Sequence, residues 1–100
     1  MSYITVNYGL NQIYNVHTYA IKQIIEHTIS KFKNIKLIEE VEVFIVNGGK
    51  SVESSIKIDV INSKAISDDI TNLSSSIEDS VKTLINTKPS NVKIKINSIS

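Results

Sequence analysis

Cysteine and arginine are both absent from this 100-residue chain. Without a thiol there is no disulfide framework, no thiolate nucleophile and no sulfur ligand for a metal. Without a guanidinium, the usual planar fork for phosphate and guanine is missing. The eleven basic residues, all lysine, are balanced by ten acidic ones, for a net charge of +1. A dedicated nucleic-acid surface is strongly basic, so this balance argues against one. The abundance of Ile, Asn, Lys and Ser fits the codon usage of an AT-rich genome, which accounts for the missing arginine. No apolar run approaches the roughly 20 residues that a membrane-crossing helix needs. The N-terminal stretch has no basic segment leading into a hydrophobic one. The expected compartment is therefore the cytoplasm, with any membrane association peripheral or through a partner.

What is present fits a globular domain. Apolar residues make up 41% and charged residues 21%, close to the average for folded proteins. The length suits one modest core, so residues 1–100 are expected to form a single domain.

The hydrophobic rhythm changes along the chain. Ile4, Val6, Tyr8 and Leu10 alternate with Tyr3, Thr5, Asn7 and Gly9, the pattern of a strand with one buried face. Asn11 and Asn15 read as turn or N-cap residues. From Val16 the apolar spacing becomes three and four, through Ala20, Ile21, Ile24, Ile25, Thr28, Ile29 and Phe32. This predicts an amphipathic helix closed at Asn34. Leu37 to Val46 reads as a second strand, with Val41, Val43 and Ile45 on one face and Glu40, Glu42 and Phe44 on the other. Asn47-Gly48-Gly49-Lys50 is a hairpin loop, and Val52 to Val60 alternates cleanly as a third strand. Ser67, Asp68 and Asp69 look like a helix start, a hydroxyl cap followed by acids at the positive end of the dipole. A stripe from Ile66 through Leu73, Ile77 and Val81 to Ile85 follows, ended by Lys88-Pro89. Val92, Ile94 and Ile96 then alternate in a last strand.

The order β-α-β-β-α-β predicts an α+β, two-layer sandwich: a four-stranded antiparallel sheet with two helices on one face, ferredoxin-like in layout. The expected strand order is 4-1-3-2, with the first and third strands central.

The residues that invite a chemical role mostly have structural ones. His17 falls in the apolar stripe of the first helix with no acid at helical spacing, which reads as a core histidine rather than a base. His27 is ten residues further on, too far to share a metal at i, i+4. Gly48-Gly49-Lys50-Ser51 resembles part of a phosphate loop but is followed by a strand, not a helix. Asp68 and Asp69 fit a helix start, and Glu78 and Asp79 a solvated helix face. The sheet face away from the helices is expected to carry Tyr3, Thr5, Asn7, Glu40, Glu42, Phe44, Lys57, Asp59, Lys93 and Lys95. RNA-recognition sheets place stacking aromatics on central strands, and only Tyr3 meets that condition. No catalytic, cofactor or metal set emerges.

The pattern of the second half, Ile66-Ser67-Asp68-Asp69-Ile70 opening a helix, Thr87 closing it and Val92-Lys93-Ile94-Lys95-Ile96-Asn97 as a last strand, resembles the bacterial alkaline-shock, envelope-stress family. The first helix, with Val16, Ile21 and Ile24-Ile25, is similar too. The glycine that follows the family's threonine is absent here, where Thr87-Lys88-Pro89 stands. The resemblance implies a small non-enzymatic cytoplasmic scaffolding protein that self-associates or works through a membrane-anchored partner. A small-ligand or ribosome-associated binding module is the alternative, since this fold hosts many functions. In the expected strand order one sheet edge carries Glu39, Glu40 and Glu42 and the other Lys93 and Lys95. Those five residues are the candidate surface for a homo-oligomer, by head-to-tail pairing of opposite charge.

Overall fold

Ten residues, Ser51–Val60, form the strand around which the molecule is built. In the computed structural model, which describes residues 3–9 and 11–100, the chain runs β1 (Tyr3–Gly9), β2 (Gln12–His17), α1 (Thr18–Ser30), β3 (Ile35–Leu37), β4 (Glu42–Val46), β5 (Ser51–Val60), α2 (Ile66–Ile85) and β6 (Asn91–Ile99). The long strand is β5. From Val52 onward its even-numbered residues are buried and its odd-numbered ones half-exposed, the period-two signature of a sheet covered on one face. Ser54, among the buried residues, has a hydroxyl with no protein partner.

Both β3 and β4 pair with β5 antiparallel. They are two halves of the strand expected over Leu37 to Val46, broken in the middle. Leu37 lies opposite Ile58 and Glu42 opposite Ser55, so four residues, Ile38–Val41, stand against two. An even insertion preserves the side-chain alternation. Val41 and Val43 therefore still turn toward the core, and Glu42 and Phe44 toward solvent. The loop Asn47–Gly49 is a 3-10 turn in which Asn47, Gly48 and Gly49 all have positive φ, which glycine adopts without the usual Cβ penalty.

The other flank of β5 holds β6, in parallel register from Glu53–Asn91 to Ile58–Ile96. This corrects the expected all-antiparallel 4-1-3-2 sheet. The slot beside β5 that was assigned to the first strand is occupied by the last. A β-α-β crossover through α2 brings β6 there, and parallel neighbours need such a connection. A bulge follows: Asp59 faces Ser98, leaving Asn97 extra. The molecule is thus α+β, with two helices on a mixed sheet.

The first strand is elsewhere because residues 12–17 are not the beginning of the helix. They form β2, which pairs antiparallel with β1 as a separate two-stranded hairpin. Leu10, expected on the buried face of the first strand, lies outside the described residues. Asn11 has φ 62°, a left-handed conformation that asparagine tolerates. The hairpin is docked through Ile4 and Val6, which are 1% and 3% exposed. Further along, the Tyr8 hydroxyl donates to the Leu84 carbonyl and the Asn86 amide to the Asn7 carbonyl. The hairpin thus sits at the end of the helix pair where α2 stops.

The helices keep their predicted faces but shift at their ends. Ile21, Ile25, Thr28 and Ile29 are the buried residues of α1, which ends at Ser30 with Lys31 as its cap. Asn34 does not close it. Its amide instead donates to the carbonyls of Ile61 and Asn62, each at 2.8 Å. Thr28 and Ser80 share a hydrogen bond of 2.7 Å between the helices. The second helix begins at Ile66 with Ala65 as N-cap and no side-chain cap bond, so Ser67 is not the cap. It ends at Asn86 in a left-handed conformation, one residue before the expected Thr87. The buried apolar core is one cluster of isoleucine and valine plus Leu73, without an aromatic ring.

Candidate interaction surface

The sheet around β5 has two outer edges, one formed by β3 and β4 and the other by β6. Glu42 lies on β4, Glu39 and Glu40 lie in the break between β3 and β4, and Lys93 and Lys95 lie on β6. The acidic and basic candidates are therefore on opposite edges, with β5 between them, and all five are exposed. The three acids do not act alike. Glu40 is ion-paired with Lys22 of α1, and Glu39 sits 3.3 Å from Lys57 on β5. Among the described residues these are the two salt bridges. Exposed pairs of this kind contribute little to stability, but they hold two of the three carboxylates toward their own molecule. On β6 the lysines are side by side with Ser55 and Lys57 of β5.

The open face of this sheet carries Glu42, Phe44, Lys57, Asp59, Lys93 and Lys95, as expected, and Phe44 is exposed. Tyr3, Thr5 and Asn7 belong to the hairpin instead. The Asn97 amide donates to Asp59 at 3.1 Å. That bond first, and one from Ser98 second, holds the Asp59 carboxyl below the ordinary aspartate value of 3.8. Hydrogen bonds to the ionised form favour it.

Where aromatics normally dominate a core, here Phe32 alone of the described aromatics packs against it, half-buried. All four tyrosines lie in the first 19 residues, and all four are exposed, together with Ile13 at 67%. Tyr19 lies on α1, and the placement of the others follows the pleat of the hairpin. Ile4, Val6, Tyr8, Tyr14 and Val16 share one face, and Tyr3, Thr5, Ile13, Asn15 and His17 are on or beside the other. Ile4 and Val6 are buried in the core and Val16 packs against it half-buried, while Tyr8 and Tyr14 overhang and meet edge to face at 5.3 Å. Under this overhang is an open hollow of about 510 Å³ lined by Tyr8, Gln12, Tyr14, Val16, His17 and Ala20. On the outer face Tyr3 and His17 stack edge to face at 4.8 Å, and Thr5 donates to Asn15 at 3.1 Å.

His17 is not the core histidine that the helical spacing predicted. It is exposed and caps α1, its Nδ1 accepting the Tyr19 N–H at 2.9 Å. An imidazole accepting at Nδ1 carries its proton on Nε2. The period of the first helix, run back too far, put this residue in the stripe. His27 is exposed near the end of α1, and no group of three or more His, Asp or Glu among the described residues could hold a metal ion. Gly48-Gly49-Lys50 is the turn into β5. No described helix is long and apolar enough to cross a membrane.

The hairpin surface was not among the candidates drawn from the sequence. A signal for it exists: the first Asp, Glu, Lys or Arg in the chain is Lys22. All 21 charges follow the hairpin, and all four tyrosines precede them.

No protein-family model matches the sequence, and no curated protein is detectably similar to it. Solved structures do share its shape. A Cys-to-Ser variant of the MamM CTD superposes with a TM-score of 0.56 at 12% identity, covering 83% of this chain and 98% of that one. A copper form of an Asp-to-His variant of the same CTD gives 0.55 at 11% identity, covering 82% and 98%. At such identity the likeness concerns the fold.

Proposed function

We propose that this protein is a non-enzymatic scaffolding module that acts in the cytoplasm by associating with copies of itself. One observation carries the reading: a sheet with two unpaired edges, Glu42 exposed on one and Lys93 and Lys95 on the other. Edge strands present free N–H and C=O groups to any strand that can approach. Opposite charge lets the β4 edge of one copy meet the β6 edge of the next, a heterologous contact that builds chains or rings. The ion pairs of Glu39 and Glu40 leave Glu42 as the principal acid on that edge, so the pairing is weak and salt-sensitive.

Kinship with the alkaline-shock, envelope-stress family is part of this proposal and rests on the apolar pattern of α1, α2 and β6. Action through a membrane-anchored partner belongs to it on the same basis. The fold shared with the MamM CTD is compatible with a domain that works by contact rather than catalysis. Sedimentation velocity over a range of concentrations tests the reading. Assembly is expected at low salt and is expected to fade as the screening length falls to about 8 Å at physiological ionic strength. Reversing Lys93 and Lys95 to Glu should abolish it. A monomer at high concentration and low salt rejects it.

A second reading, a small-ligand binding module, is favoured by the hollow beneath Tyr8 and Tyr14. Its volume of about 510 Å³ is within the range of ligand sites, roughly 300–1,000 Å³. A strict monomer whose melting temperature rises with one small molecule of a metabolite panel would select it.

A further inference from the structure

The two outer edges of the main sheet run in opposite directions. β4 is antiparallel to β5 and β6 is parallel to it, so β4 and β6 of one copy are antiparallel to each other. The direction in which a second copy's β4 lies against β6 therefore depends on where that copy's helices go. With the helices of both copies on the same side of the joined sheet, the new pair is antiparallel. With them on opposite sides it is parallel.

The side chains select between these two arrangements. On β6, Lys93 and Lys95 stand beside Ser55 and Lys57 on the open face, and Val92 and Ile94 stand beside Ser54 and Ile56 on the face toward the helices. On β4, Glu42 and Phe44 are on the open face and Val43 and Ile45 on the other. The parallel arrangement would set Glu42 and Phe44 in the row of Val92 and Ile94. The antiparallel one keeps acid, ring and lysine in one row and the apolar residues in the other. Opposite charges across a strand pair are favourable and like charges are not. A second β6 against the first would set lysine against lysine.

The register is also restricted. Side-chain alternation lets Glu42 face only odd-numbered residues of β6 up to the bulge. Opposite Asn97 it would meet that bulge, where the ladder with β5 is itself interrupted. Opposite Asn91 or Lys93, the far end of β4 would run past the strand onto Pro89, which has no N–H to give. Opposite Lys95, all five residues of β4 lie against Asn91–Lys95. Glu42 then meets Lys95, Phe44 meets Lys93, and Val43 and Ile45 meet Ile94 and Val92. Phe44 is 49% exposed on a face otherwise rich in charge, and a lysine stem and ammonium cover such a ring well.

We propose that the β6 edge of one copy takes β4 of the next as an antiparallel strand, in the register that sets Glu42 against Lys95 and Phe44 against Lys93. Charge complementarity names the occupant and the matching of faces gives its direction. The inference rests on the edge-pairing reading and adds to it a direction, a register and a role for Phe44. Successive copies then carry all their helices on one side of a continuous sheet.

The chain has no cysteine, so disulfides between introduced thiols report the register. Residues directly opposite in an antiparallel pair are within disulfide reach, whereas diagonal ones, about 7–8 Å apart, are not. Two full-length single-cysteine proteins, Val43→Cys and Ile94→Cys, are mixed at low salt under mild oxidation. Val43→Cys with Val92→Cys is the off-register control. The first mixture is expected to cross-link strongly and the second weakly. Sedimentation velocity then follows a charge swap. Glu42→Lys and Lys95→Glu should each raise the dissociation constant about tenfold, because like charges then face each other, and the double variant should recover assembly. Phe44→Ala should weaken it. These three residues are exposed, so the fold should persist, and circular dichroism verifies this. Assembly that cross-links best through Val43→Cys and Val92→Cys, or that does not recover in the double variant, overturns the inference and leaves edge pairing in place. Linkage of Val43→Cys only to itself, or a monomer under every condition, overturns both.

Discussion

Two sets of paired strands meet in this molecule. Around β5 the strands are joined across long stretches of chain, through the α2 crossover and the broken β3–β4 edge. Their buried face lies under two helices and their open face is charged. The β1–β2 hairpin is local, with a Gly9–Gln12 pair at its closed end. It carries tyrosines and amides in place of charge, and it touches the core through Ile4, Val6 and Val16. A two-stranded hairpin is marginally stable alone, so this one depends on Ile4, Val6 and Val16 at its base and the Tyr8–Leu84 hydrogen bond along its length. The contrast teaches that the two regions answer to different demands. The sheet holds the core together and is protected against stray pairing. The hairpin contributes little core and leaves a neutral aromatic surface free.

That division can be broken by measurement. The largest effect is expected in the helix layer. Ile77, fully buried in α2, should cost about 2–4 kcal/mol when replaced by Ala, within the usual range for large-to-small core changes. Ser75→Ala, on the exposed side of the same helix, should change stability by less than about 0.5 kcal/mol. Chemical denaturation that gives similar losses for the two would refute the burial assigned to α2.

Ile4 is as buried as Ile77 but belongs to the hairpin. Its replacement by Ala should cost less than the Ile77 change, about 1–2 kcal/mol, because the hairpin can open without global unfolding. Hydrogen exchange checks the distinction. Amides of β1 and β2 should lose protection in this variant while those of β5 keep it. Equal loss in both sets would mean that hairpin and sheet unfold as one unit.

The joint between the regions is the His17 cap. Replacing it with Ala should cost about 1 kcal/mol, the usual value of an N-cap, whereas Asp at this position should preserve or improve the helix start. Chemical denaturation of the two variants reads both effects, and a His17→Ala protein as stable as the wild type would exclude the cap.

The smallest effect lies on the open sheet face. The Asp59 carboxyl is held below its ordinary value by Asn97 and Ser98. A depressed folded value gives stability that is present above the unfolded value, near 3.8, and lost as pH falls through the folded one. Asn97→Ala should move the Asp59 titration, followed by NMR, upward toward 3.8 and remove part of that acid dependence. A titration unchanged by the substitution would mean that the bulge amide does not hold the carboxylate.

The alternation of β5 and the stripes of α1 and α2 were legible in the sequence because each is a local period that burial on one side imposes. The Asn47–Lys50 loop was legible because positive φ calls for Asn and Gly. The break within Leu37–Val46 was not, since an insertion of two residues leaves the alternation intact. Residues 13–17 supported two readings: Ile13, Asn15 and His17 alternate with Tyr14 and Val16, yet Val16, Ala20 and Ile21 also fit a helix. The five edge residues stand on opposite edges although the strand order from which that is expected does not form, and the ion pairs of Glu39 and Glu40 were not legible at all. Lys22 and Lys57 are each 18 residues from their partners.

The sequence by itself determined that this chain forms two amphipathic helices and a strongly alternating central strand, because those depend on neighbours within one or two turns. The tertiary structure alone decided which strand lies beside β5. Backbone pairing is nearly indifferent to side-chain identity, and both the first and the last strand could have filled that slot. With β1 paired to β2, the long crossover brings β6 there in parallel. The same choice left Tyr3, Tyr8 and Tyr14 outside the core, on a hairpin that the chain's charges never reach.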